Sequence, residues 1–190
     1  MASDNPFFTR SGDEGYTGIL GHERVAKYDL QPEACGTLDE VSAVLGVARA
    51  AANSQLDVDI IVTVQRDLYD AMADLAMTPE AAAKAGCRLE QSRVNWLESM
   101  IEELGKEVEL PPAFVVPGDS YAGAMLDVAR TVTRRAERLV AKLYHQALLC
   151  NPAVLQYLNR LSSLLFVVAR FEDIAAGVTQ FTLAKPEEDR

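Results

Sequence analysis

The run Thr9-Arg10-Ser11-Gly12-Asp13-Glu14-Gly15-Tyr16-Thr17-Gly18, with Lys27 soon after, combines residue types that can hold a polyphosphate. Gly12, Gly15 and Gly18 allow the backbone to take positive φ and turn its N–H groups inward. Thr9, Ser11 and Thr17 add hydroxyls, while Arg10 and Lys27 add positive charge. The same composition also suits an ordinary Gly/Asp-rich loop. Neither the Walker pattern GxxxxGK[ST] nor the dinucleotide pattern GxGxxG occurs in the chain, so any phosphate chemistry here follows another design.

A second cationic set lies more than a hundred residues further on. Arg130, Arg134, Arg138 and Lys142 recur every four residues, with Arg135 beside them and Glu137 between. On a helix this spacing makes a row along one face, where several guanidinium groups can converge. A solvated charged face has the same spacing. Apolar neighbours (Met125, Val128, Val132, Leu139, Leu143) and an acidic protein favour a neutralising anion, and arginine suits bidentate phosphate contacts. Glu137 can orient an arginine or, through water, a divalent cation. Asp39 and Glu40 are further partners for the row. Phe114-Val115-Val116-Pro117-Gly118 is either an apolar connector over a bundle end or a rigid loop whose aromatic walls a flat ligand. Asn159 interrupts an apolar run, either as a satisfied polar contact or as a reader of an adenine edge.

Helices must position these groups. The chain has 190 residues, 49% of them hydrophobic, enough for one domain with a sizeable core. Periodicity predicts five helices: about 37–53, opened by a capping-box-like Thr37-Leu38-Asp39-Glu40; 57–76; 88–107, with Trp96; 120–149; and a fifth opened by Pro152. Thr78-Pro79 to Gly86-Cys87 reads as a polar break, and Leu110 to Gly118 as a proline-stiffened connector. The expected architecture is an all-α five-helix bundle (37–176) behind a structured Gly-rich N-terminal loop (1–30), in one domain spanning 1–190. The tail at 185–190 is expected to be disordered.

A net charge of −10 argues against nucleic acid and against an anionic membrane surface. Three scattered cysteines predict reduced thiols and a cytoplasmic location. Two histidines supply neither a His-based metal site nor a Ser-His-Asp triad well. The first residues have no signal-peptide pattern, and no run of 18 apolar residues occurs.

These segments together resemble the PduO-type ATP:cob(I)alamin adenosyltransferases. The resemblance is carried by Phe8 to Thr17, Arg24-Val25-Ala26-Lys27, Gly36 to Glu40, Phe114 to Gly118, Ala129 to Arg138 and Tyr157-Leu158-Asn159-Arg160-Leu161-Ser162, in family order along nearly the whole chain. It implies transfer of the 5′-deoxyadenosyl group of ATP to the cobalt of reduced cobalamin, with tripolyphosphate leaving alongside Mg²⁺, in a homotrimer. By resemblance, ATP lies between subunits against Thr9, Arg10, Ser11, Gly12, Thr17, Gly18, Lys27, Arg134, Arg135, Glu137, Arg138 and Asn159. Arg134 also acts in the chemical step, and no protein metal ligand is assigned. Asp39 and Arg130 match an intersubunit salt bridge, and Phe114 matches the aromatic that closes the lower corrin face and leaves cobalt four-coordinate. A flavoprotein reductase and an adenosylcobalamin-dependent enzyme are the implied further partners.

The chain departs from the family pattern at Asp119, where a second glycine is usual, at Asp127, where a histidine is usual, and at Ser163, where an aspartate is usual. A nucleotide- or adenosylcobalamin-binding delivery or regulatory protein on the same bundle is the alternative function.

Overall fold

Apolar residues at three- and four-residue spacing generate the helices and decide how they pack. The computed structural model describes residues 7–185. Two short strands, β1 (Tyr16–Ile19) and β2 (His22–Ala26), precede six helices. These are α1 (Leu30–Ala51), α2 (Gln55–Leu75), α3 (Pro79–Ala85), α4 (Gln91–Gly105), α5 (Tyr121–His145) and α6 (Pro152–Ala175). Helix α5 is central, flanked by α1 and α6; α2 packs on α1 and also touches α6, and α4 packs on α6. Its inward face is Leu126, Ala129, Val132, Ala136, Val140 and Leu143. It meets Ala34, Leu38, Val41, Leu45 and Ala48 of α1, and Leu158, Leu161, Leu165 and Val168 of α6 belong to the same core. The alanines let the helix axes approach closely, so the core is filled by interleaved leucines. Helix α6 is long and apolar enough to cross a membrane, yet 56% of its most apolar window is buried within the bundle.

The all-α expectation holds, with corrections at element ends. Six helices form, not five. Segment 79–85 is a short helix because Pro79 opens it, the Thr78 hydroxyl accepts from Ala81 N, and Gly86 at φ 79° closes it. Helix α1 begins at Leu30, seven residues before Thr37. Thr37 is an interior residue whose hydroxyl donates to Glu33 O, so the apparent capping box sits inside the helix. Pro32 in the first turn masked the true start in the sequence, although proline is tolerated there. Helix α4 starts at Gln91 and not at 88, since the N–H groups of Arg88 and Leu89 are taken by the Asp74 carboxylate. Helix α5 stops at His145, and Ala147 at φ 56° turns the chain.

The N-terminal loop is a hairpin. Strands β1 and β2 pair antiparallel, with a register shift between Thr17 and Ile19, at Gly18. Leu20 N donates to Ala76 O and Thr78 N to Leu20 O, which anchors the hairpin on the α2–α3 junction. Gly21 (φ 91°) touches this junction so closely that a Cβ would lie 2.3 Å from Thr78 Oγ1. Residues 186–190, and with them nearly all of the expected disordered tail, lie outside the described residues.

Buried polar groups tie the layers. Arg93 of α4 forks onto Asp67 of α2 (2.8 and 2.9 Å), and the Tyr157 hydroxyl of α6 donates to the same carboxylate at 2.9 Å. At the end of the bundle away from the hairpin, fully buried Asp57 faces fully buried Glu172. Glu172 Oε1 accepts from Asn53 N and Asn53 Nδ2. Burial, then the hydrogen bond and negative charge of Glu172, push Asp57 up to about 8. Between about 4, where an unfolded aspartate titrates, and about 8, the folded protein therefore holds the extra proton. Stability from this pair is full below that window and is lost as pH rises through its upper end. Asp57→Asn mimics the protonated acid at every pH. Its Tm advantage over the parent should widen as pH rises from about 5 to about 8 and level off above that in thermal melts; parallel Tm profiles would show that the pair does not share a proton.

Candidate functional site

The hairpin supplies a compact polar turn. The Thr9 and Ser11 hydroxyls are 2.7 Å apart, and Arg10 takes φ 61°, which reverses the chain. Gly15 N donates to Gly12 O, and Lys27 N to Gly15 O. Lys27 Nζ lies against Gly12, where a Cβ would approach it to 2.7 Å. A side chain at position 12 would make the lysine beside it shift. Thr17 and Gly18 follow on β1. Arg24, which the residue-type argument did not single out, holds the turn together: its guanidinium donates to Ser11 O and, at 3.0 Å, to Tyr16 O. A cation two residues before Ala26 in a short strand was the available signal.

The arginine row runs along the outer part of α5. Arg134, Arg135 and Arg138 are exposed and Glu137 is half-buried. Arg135 pairs with Glu40 of α1, and Arg138 Nη1 donates to Arg134 O at 2.8 Å. Asn159 Nδ2 donates to Glu137 Oε1 at 2.8 Å, and Arg160 bridges Asn159 to Glu98. The Asn-Arg-Leu-Ser segment therefore forms a polar rail across α4, α5 and α6, with Ser162 Oγ closing back on Asn159 O at 3.0 Å. Asn159 is a satisfied contact whose carboxamide still faces solvent beside the row.

Met77 O accepts from Gln31 Nε2 and lies 3.3 Å from Cys150 Sγ. The C-terminal end of α5 is thus at the hairpin's end of the bundle. No hydrogen bond or ion pair joins the hairpin to α5 among the described residues. Phe114 is at the other end, on the connector into α5, with its ring 88% exposed. Asp39 is exposed on α1, and no ion pair joins it to Arg130 within the chain. Arg130 Nε instead donates to Asp127 Oδ1 at 2.8 Å. Asp127 is buried; its second oxygen accepts from Arg170 Nη2 at 2.7 Å, so this departure from the family pattern carries a structural ion-pair relay.

The chain gathers hydroxyls, backbone N–H groups and cations, the equipment for positioning a polyanion, not for attacking it. Such a set on a helical bundle suits a protein that positions a polyphosphate. The chain belongs to the cobalamin adenosyltransferase family, whose profile matches residues 7–172. It is 35% identical over 175 residues to the corrinoid adenosyltransferase of Bacillus subtilis, covering 90% of this chain and 88% of that one. It is 38% identical over 173 residues to that of Mycobacterium leprae, covering 86% and 88%. A variant PduO-type ATP:corrinoid adenosyltransferase from Lactobacillus reuteri, solved with cobalamin and ATP, superposes with a TM-score of 0.86 at 30% identity, covering 94% of this chain and 99% of that one.

Proposed function

We propose that the chain is an ATP:corrinoid adenosyltransferase that moves the 5′-deoxyadenosyl group of ATP to the cobalt of reduced cobalamin, releasing tripolyphosphate. The observation that carries this reading is the pairing of a glycine–hydroxyl–lysine turn with an arginine row, in a family of corrinoid adenosyltransferases. Reduced cobalt is the nucleophile, attacking C5′ as the C5′–O bond to the triphosphate breaks. The protein then needs only to orient ATP and stabilise the leaving polyanion. In this reading Thr9, Arg10, Ser11, Gly12, Thr17, Gly18 and Lys27 grip the triphosphate from one subunit. Arg134, Arg135, Arg138, Glu137 and Asn159 face it from the neighbour.

The homotrimer of this reading, taken from the resemblance, is compatible with the same placement. Among the described residues no hydrogen bond or ion pair joins the hairpin to the arginine row, and Phe114 precedes the opposite end of a 25-residue helix, roughly 37 Å long. A site that uses all three is completed by a second copy. Mg²⁺ would come with the nucleotide. The phosphates of the nucleotide would supply its ligands, with water. The flavoprotein reductase, the adenosylcobalamin-dependent enzyme and the cytoplasm remain the partners and location proposed from the resemblance.

The test is adenosylcobalamin formation from chemically reduced cobalamin and ATP, followed by absorbance, together with light scattering. Turnover by a particle of three times 20.7 kDa is expected. ATP binding without turnover would favour the delivery reading, and a fully active monomer would overturn the shared site.

Asp39 and Arg130 are proposed to pair across the subunit boundary, with Arg130 already oriented by Asp127. Burial of this pair in an interface would make removal of one partner cost about 3–5 kcal/mol. Asp39→Asn should therefore slow cobalamin turnover far more than it weakens ATP binding. A charge-swapped double variant should recover part of the loss; independent, additive losses would refute the pairing.

A further inference from the structure

Three prolines (Pro111, Pro112 and Pro117) stiffen the connector that carries Phe114, yet prolines cannot donate the hydrogen bonds that would place it. The chain's C-terminal segment supplies those bonds. Val116 N donates to Thr182 O at 2.7 Å and Ala184 N to Phe114 O at 2.8 Å, with Val115 and Leu183 paired antiparallel. The main chain of Phe114 is thus fixed by residues 182–184, while its ring stays open to whatever lies above it. Residues 182–184 are held in turn at two points. The Phe181 ring lies 5.7 Å from the guanidinium of Arg170, which is 1% exposed and paired to Asp127 and Asp173. Asp119 accepts from Thr182 with both oxygens: the backbone N–H on Oδ2 at 3.0 Å and the hydroxyl on Oδ1 at 2.6 Å.

Asp119 is well founded for this task. Gly118 (φ 121°) turns the chain just before it, and Ser120 just after it caps α5 by accepting from Gly123 N and donating to Asp173 Oδ1. A Cβ on Gly123 would come within 2.1 Å of that Asp173 oxygen, so the small residue is what lets the cap seat. Between the connector and the C-terminal segment lies a cavity of ≈ 1130 Å³, lined in part by Leu110, Pro112, Ile174, Phe181 and Leu183. Directional bonds from Thr182 and Ala184 set where Phe114 sits.

We propose that Asp119 is a positioning residue which, by clamping Thr182, holds the C-terminal segment as a strap against the connector and so sets the position of Phe114. The inference rests on the reading of Phe114 as the group that excludes the lower cobalt ligand. A glycine at position 119 would offer Thr182 no carboxylate. Loss of the carboxylate frees the Thr182 N–H and hydroxyl, and Phe114 then samples positions that no longer close the lower face. Cob(II)alamin keeps its fifth ligand more often, and its reduction by the added one-electron reductant becomes harder.

The experiment compares adenosylation of cob(II)alamin plus reductant with that of pre-reduced cob(I)alamin, in the full-length protein. The variants are Asp119→Ala, Asp119→Asn, Thr182→Val and the Asp119→Ala/Thr182→Val double. Asp119→Ala is expected to lower the cob(II)alamin rate about tenfold, the scale of one charged hydrogen bond, with a much smaller loss on cob(I)alamin and an unchanged KM for ATP. Asp119→Asn, which keeps a carboxamide oxygen for Thr182, should recover most of the rate. The double variant should be no worse than Asp119→Ala. Amide exchange at Val116 and Ala184 should quicken in Asp119→Ala. Equal losses on both cobalamin substrates, or additive losses in the double variant, would overturn the clamp. If Phe114→Ala is selective for cob(II)alamin and Asp119→Ala is not, this inference alone falls. If Phe114→Ala shows no selectivity, the reading of Phe114 falls first and the strap's role with it.

Discussion

Phe114→Ala is expected to lower adenosylation of cob(II)alamin by one to two orders of magnitude while leaving ATP binding nearly intact. Fully burying a phenylalanine side chain against a ligand contributes about 1.5–3 kcal/mol, roughly ten- to a hundredfold. The ring is 88% exposed in the isolated chain, so its apolar surface is available to a corrin and contributes little to folding. Stability should change by no more than about 0.5 kcal/mol, as at other surface positions. The bonds that place this residue belong to its backbone carbonyl and to Val116 N, and both survive the substitution. Pre-reduced cob(I)alamin bypasses the reduction step, so its defect should be much smaller. The absorbance or paramagnetic signal of four-coordinate Co(II) in the presence of ATP should fall with the rate. Equal losses with both substrates would return Phe114 to the role of an apolar connector.

Arg134→Ala should damage ATP affinity and the chemical step together. The side chain is exposed on α5, and its substitution leaves intact the bond from Arg138 Nη1, which goes to the backbone carbonyl of residue 134. A fold defect is therefore not expected, and an unchanged Tm would confirm that kinetics report chemistry. One hydrogen bond to a charged group is worth about 1.5–3 kcal/mol. The KM for ATP should rise, and kcat/KM should fall by roughly ten- to over a hundredfold. Part of the loss should be in kcat, since charge on the tripolyphosphate builds as the C5′–O bond breaks. Arg134→Lys should recover charge but not the bidentate fork. Unchanged kinetics in Arg134→Ala would mark the row as a solvated face.

Phe114 and Arg134 are proposed as site residues from local chemistry that the sequence displays: an aromatic among prolines, and cations at four-residue spacing. The sequence displays the bundle in the same way, since α2, α5 and α6 have strong apolar stripes, and also the proline that opens α6. Family membership followed from segments that keep their order along the chain. Element ends were less legible. Thr37 looks like a cap but spends its hydroxyl on Glu33 O, and Arg88 looks helical but gives its N–H to Asp74. Side-chain competition for backbone groups decides such boundaries, and periodicity does not record it.

What the tertiary structure alone decided are the contacts between residues far apart in the chain. Nothing near Asp127 in sequence announces that Arg170 would be paired to it, nor does Asp119 announce Thr182, 63 positions away. The Asp57 carboxyl is pushed up because folding buries it and then sets Glu172 against it, 115 residues further on. Residue types and spacings determined which helices form, which faces they bury and what chemistry the surface can offer, because those follow from short-range geometry and apolar burial. Which buried charges are paired, and which strap holds the Phe114 connector, follow from desolvation and directional bonding between distant segments, and these exist only once the chain has closed on itself.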